Sequence, residues 1–144
     1  MADFILVTGD QAIFRPKFGQ AIVTPIPGTL IGSGKAKVDG RIICVNGDEK
    51  KVIVPGCPYM TSQFNIPGVG ILSIRSLAPN QKARKVKSGG KPVLLKGTTF
   101  NAKFQVVMPA MKPLPPPAPP LPDFMLTYFG TGNFLTFNFK VRAT

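Results

Sequence analysis

Apolar residues in this chain come in short runs, each cut off by Gly, Pro or Asn. Residues 4–7 are apolar and stop at Thr8-Gly9-Asp10. Ala12-Ile13-Phe14 and Ala21-Ile22-Val23 follow, separated by Arg15-Pro16-Lys17-Phe18-Gly19. Runs this short, bounded by turn formers, predict strands rather than helices. Asn46-Gly47-Asp48 predicts a tight turn, because Asn and Gly adopt positive φ at low cost. Lys51-Val52-Ile53-Val54 then reads as a returning strand stopped by Pro55-Gly56, with Pro55 to Met60 as a compact loop. Residues 71–77 form a predicted strand between Gly70 and Pro79. Phe100 to Val106 alternates apolar and polar, the pattern of a half-buried strand. No window carries a helical period, so the expected class is all-β.

The pattern also repeats. Lys35 to Gly47 aligns with Lys85 to Gly97: Lys35 with Lys85, Lys37 with Lys87, Arg41 with Lys91 and Ile43 with Val93. Each copy reads as a polar stem, a Gly turn, an apolar strand and a second Gly turn. The turns fall at Gly40 and Gly47 in one copy and at Gly90 and Gly97 in the other. Neither copy can bury its apolar face alone, which predicts a small β fold built by stacking.

From Met108 to Pro122 the chain is rich in proline. This predicts a stiff polyproline II spacer of ~3.1 Å per residue; a docking site for a proline-reading domain is the alternative. Beyond it, Met125 to Phe129 and Phe134 to Val141 flank Gly130-Thr131-Gly132-Asn133 and read as a hairpin. Phe137, Phe139 and Val141 share one face of it. An isolated hairpin is marginal alone, so this face needs an apolar surface on the main domain or on a partner. The expected organisation is a β domain over 1–107, a spacer over 108–123 and a Phe-rich hairpin over 124–144.

Composition narrows the class. The 144 residues include 15 Gly and 16 Pro, too many for a helical protein. No stretch approaches the ~20 apolar residues of a membrane helix, and Met1 to Val7 lacks the features of a secretion signal. The net charge is +12, and no acid lies between Glu49 and Asp123. That imbalance suggests a polyanionic partner: nucleic acid, an anionic membrane surface or an acidic protein face. Lys82 to Lys96 contains no aromatic for base stacking, so the nucleic-acid reading rests on charge alone.

Catalytic chemistry is scarce. With no histidine there is no imidazole base and no His-dependent triad. No acids form an obvious pair, and nothing activates Cys44 or Cys57. No enzymatic activity is expected. Two cysteines are too few for a disulfide scaffold; they read as buried apolar side chains or as a pair formed after export. They are also the candidate metal ligands, although two sulfurs leave a tetrahedral ion short of protein donors. No cofactor is expected.

Ile43-Cys44-Val45-Asn46-Gly47-Asp48 resembles the strand-turn of PAAR-repeat proteins. Gly89-Gly90-Lys91-Pro92-Val93 resembles the turn-strand of the same family, and Cys57-Pro58-Tyr59-Met60 is similar to its Cys-Pro loop. The resemblance covers residues 21–107 and is closest to PAAR-like tips of contractile injection systems derived from phage tails. It implies a small conical β fold, present as one copy. That copy would cap a trimeric spike of the valine-glycine-repeat type and meet the target membrane first. It further implies synthesis in the bacterial cytoplasm without a signal peptide, and a final place at the apex of an injection particle. Phe137, Phe139 and Val141 would then anchor the chain to the spike or to an effector cargo. The Pro-Ala-Ala-Arg motif itself is absent, and so are the three histidines that commonly join a cysteine around the family's metal. The alternative function is a basic β module for nucleic acid or another polyanion.

Overall fold

The computed structural model describes residues 3–136, 138 and 140–143. Apart from two single-turn 3-10 helices, at Asp48–Lys51 and Pro79–Gln81, its regular structure is β, as the hydrophobic pattern predicts. Eight strands form the main sheet: β1 (Gln11–Phe14), β2 (Lys17–Phe18), β3 (Ala21–Val23), β4 (Gly28–Thr29), β5 (Ile53–Thr61), β6 (Gly68–Ser76), β7 (Phe100–Met108) and β8 (Thr127–Leu135). Their order is β2-β3-β5-β6-β7-β8-β1-β4, antiparallel throughout.

The sheet curls. Arg15 N–H donates to Thr131 O at 3.0 Å, which carries the chain from β1 past β8. Phe18 on the edge strand β2 then lies over Gly130 of β8, where a Cβ would stand 2.7 Å from its ring. Inside the curl, the alternating residues of each strand form one core. Phe14 meets Phe100 edge-on at 5.5 Å, Phe100 meets Phe134 at 4.9 Å, and Tyr59 meets Phe104 at 5.1 Å. Aromatic pairs in such geometry add to the stabilisation from buried area.

The C-terminal third departs from expectation. Residues 127–135 are one continuous strand, and the expected turn Gly130 to Asn133 lies inside it. β8 pairs with β7 on one side and β1 on the other. It is therefore interior to the sheet rather than an appended hairpin, and a boundary after Val107 does not divide the fold. The proline-rich stretch is not an extended spacer either. Met111–Lys112 pairs with Leu121–Pro122, and Asp123 N–H donates to Ala110 O at 2.8 Å, so the segment folds back on itself. Asp123 is buried, accepting from Tyr128 Oη at 2.6 Å and Tyr59 Oη at 3.0 Å. Pro55 to Met60, read as a loop, belongs to β5; its register slips between Val54 and Cys57, and Gly56 takes a φ of 74° there. A bulge admits proline and glycine where a regular ladder would not. Phe137 and Phe139 lie outside the described residues.

Candidate functional site

The two predicted repeats meet in the structure, and a third unit joins them. Segments 4–8, 42–46 and 92–96 lie end to start as the sides of a triangle. Val7 bridges Ile43, Val45 bridges Val93, and Leu95 bridges Ile5, each antiparallel. At mid-side, Cys44 N–H donates to Leu6 O at 2.9 Å, Leu94 N–H to Cys44 O at 2.9 Å, and Leu6 N–H to Leu94 O at 3.0 Å. A second cycle runs around the first. Thr8 N–H donates to Ile42 O at 2.9 Å, Asn46 N–H to Pro92 O at 2.8 Å, and Lys96 N–H to Phe4 O at 3.0 Å. One chain has thus built a closed ring with pseudo-three-fold symmetry.

Sequence explains the ring. Ile5-Leu6-Val7-Thr8-Gly9-Asp10 and Ile43-Cys44-Val45-Asn46-Gly47-Asp48 carry the same apolar-x-apolar-x-Gly-Asp pattern, and Val93-Leu94-Leu95-Lys96-Gly97 shares all but the acid. Alternation sends Leu6, Cys44 and Leu94 into the sheet core. Ile5, Val7, Ile43, Val93 and Leu95 turn to a second, smaller core with Ala83, Ala143 and Val38. At two corners the aspartate closes the turn: Asp10 Oδ2 accepts from Val7 N–H and Asp48 Oδ2 from Val45 N–H, both at 2.8 Å. At the third corner the equivalent Leu95 N–H donates to Gln81 O at 2.9 Å, and Asp3 Oδ2 accepts from Gly97 N–H at 2.8 Å.

Each side of the triangle continues into a two-stranded stem. In the first, Arg142 pairs with Phe4; in the second, Lys37 with Ile42; in the third, Lys87 with Pro92. The stems touch. Lys35 N–H donates to Ser88 Oγ at 2.8 Å, and Lys140 Nζ stands 3.6 Å from Asp39 Oδ2. The first stem is drawn from both ends of the chain and is fixed by Asn138, which is buried. Its Nδ2 donates to Ile5 O and Val141 O, both at 2.9 Å, and its Oδ1 accepts from Lys140 and Val141 N–H.

The predicted site residues fall on this assembly in part. Gly40, Gly47, Gly90 and Gly97 all have positive φ and mark stem tips and ring corners. Val141 is a half-exposed stem residue. Cys44 is the middle of one ring side. Burial pushes its thiol far above the ordinary range, and Asp48, Asp10 and Glu49 add to the effect. Cys57 lies in β5, raised by burial as well, with its thiol donating to Val54 O at 3.6 Å. Among the described residues no group of three or more His, Cys, Asp or Glu is placed to hold a metal ion. The donor set therefore does not fit the three-histidine, one-cysteine site of PAAR tips.

Sequence reading missed the third unit. The repeated Gly-Asp at Gly9-Asp10 and Gly47-Asp48 was the available signal, with Lys140-Val141-Arg142 echoing Lys35-Ala36-Lys37.

Burial also sharpens the charge imbalance. Asp10, Asp48, Glu49 and Asp123 are buried, and Asp3 is half-buried, which leaves Asp39 as the one exposed acid. Every lysine and arginine is exposed except the half-buried Lys96 and Lys103. The surface is more cationic than the sequence total conveys.

A family model for contractile injection system spike tip proteins matches residues 1–144. The chain belongs to that family of spike tips. It is thereby a component of an injection particle that associates with the spike and baseplate at the apex. A search of curated proteins returned no match.

Proposed function

We propose that this chain is a non-enzymatic cap, one copy of which closes and sharpens a trimeric central spike and helps it pierce the target envelope. The pseudo-three-fold ring carries this reading. A single chain can seat symmetrically on a three-fold axis only if it offers the same features three times. The ring and its stems do so, whereas the curled sheet does not, so the stem end faces the spike. Val86 and Val141, half-exposed at equivalent places in two stems, supply apolar contact there, which gives Val141 an anchoring role. No bound metal is required, because turns and packing hold the ring together.

Co-expression with the spike protein of the same particle, followed by native mass measurement, tests the reading. One chain per spike trimer is expected. Three chains per trimer, or no complex, would sink it. The exposed cations support a second reading, binding of nucleic acid or another polyanion. Under that reading a mobility shift appears at low salt and vanishes steeply as salt rises; no shift at low salt removes it.

A further inference from the structure

The three stems repeat their charge as well as their backbone. Lys37, Lys87 and Arg142 hold the same register position, each paired with the residue that opens a ring segment. Two residues earlier in the chain stand Lys35, Lys85 and Lys140. All six are exposed. The stem end therefore carries two tiers of three cations, each tier following the pseudo-three-fold axis. Asp39 is the one exposed acid on the stems, and it lies against Lys140.

Six cations bundled around one small core repel one another, and buried apolar packing has to offset that. Among the described residues no hydrogen bond uses their side-chain charges; Lys140 lies against Asp39, and the Arg142 guanidinium stacks 4.4 Å over the Phe4 ring. Their recurrence in threes matches a partner that presents one anionic group three times. A lipid bilayer or a nucleic acid has no such symmetry; a homotrimer has it necessarily. We infer that the stem end docks on an acidic collar of the spike, a carboxylate-rich face contributed equally by its three subunits. Opposite charge in this arrangement steers encounter and fixes register more than it adds raw affinity. The inference rests on the cap reading and adds to it the chemistry of the mating face.

The test measures binding of the full chain to the spike trimer purified from the same particle, at low and high salt. Affinity of the unaltered chain should fall about tenfold or more as exposed charges become screened. The variant K35Q/K85Q/K140Q removes one tier, and K17Q/K50Q/K112Q removes three exposed cations outside the stems. Unchanged melting temperatures certify both folds, since all six positions are exposed. The tier variant should bind about tenfold more weakly at low salt, with a shallower salt dependence, and the other variant within about twofold of the parent. Equal losses in the two variants, or none in the tier variant, would overturn the acidic collar and leave one-to-three capping intact. Tier-dependent binding to vesicles containing phosphatidylglycerol, with spike binding unaffected, would overturn it in favour of lipid. Failure of the unaltered chain to bind the spike at any salt would overturn the cap reading itself.

Discussion

At the scale of single residues, a few buried polar side chains hold the parts in register. The Asn138 side chain makes four hydrogen bonds among the described residues, joining the C-terminal stem to Ile5 and to its own turn. Asn138→Ala takes away the buried partner of Ile5 O, a loss of about 1–3 kcal/mol, and the part-buried acceptor of the Lys140 and Val141 N–H groups. We expect a loss of stability of roughly 3 kcal/mol by chemical denaturation, together with faster exchange of the Ile5 and Val141 amides. A loss below ~0.5 kcal/mol would show that the stem is held otherwise.

The tyrosines on Asp123 make a second prediction. Burial raises Tyr59 to about 12, with Asp123 adding to the shift and the Ala110 N–H opposing it. Tyr128 is raised too, by burial and then by Asp123. A phenol that holds its proton more firmly in the folded chain contributes fully below the unfolded value of ~10. It loses that contribution as pH climbs to the folded value. Melting temperature should therefore fall between about pH 10 and pH 12, and the double variant Tyr59→Phe/Tyr128→Phe should fall less steeply. An equal slope in both would contradict the assignment.

At the scale of elements, what could be read from sequence depended on whether a unit is continuous in the chain. The stem-turn-strand copies at 35–47 and 85–97 are continuous, and their alignment was plain. The third unit was hidden because its two strands, Asp3–Phe4 and Arg142–Ala143, come from opposite ends. The other misreadings share a different cause. Gly130 and Gly132 signal a turn locally, yet they sit in β8 because the Phe18 and Phe100 rings occupy the space a side chain would need. Local chemistry cannot show that a glycine serves a distant aromatic. The lack of any histidine to serve as a ligand, by contrast, was legible from composition alone.

Pairing of β8 on both sides yields a firm prediction. Truncation after Val107 removes an interior strand, the Phe134 side chain from the core and one stem. The truncated chain should show no cooperative melt; a sharp transition near that of the full chain would refute the pairing. The proline-rich tip should be far more tolerant. Replacing Pro113 to Pro120 with a short Asn-Gly turn keeps Met111–Lys112 opposite Leu121–Pro122. It should shift the melting temperature by only a few degrees, roughly the effect of 1 kcal/mol in a domain of this size.

At the scale of the whole molecule, the chain combines an asymmetric body with a pseudo-symmetric end. The curled sheet supplies the large core that a small β protein needs. The ring needs only three short segments, but it closes their backbone groups on one another, so no strand edge is left open there. This division of labour fits the proposed cap, which would meet a three-fold partner at one end and lead the particle with the other. The most direct test is an image of the intact particle's spike apex reconstructed without imposed three-fold averaging. The account predicts one copy on the axis, with the stem end carrying Lys37, Lys87 and Arg142 against the trimer and the curled sheet outermost. Density for this chain in the sheath or baseplate ring, or a sheet end seated on the spike, would contradict it.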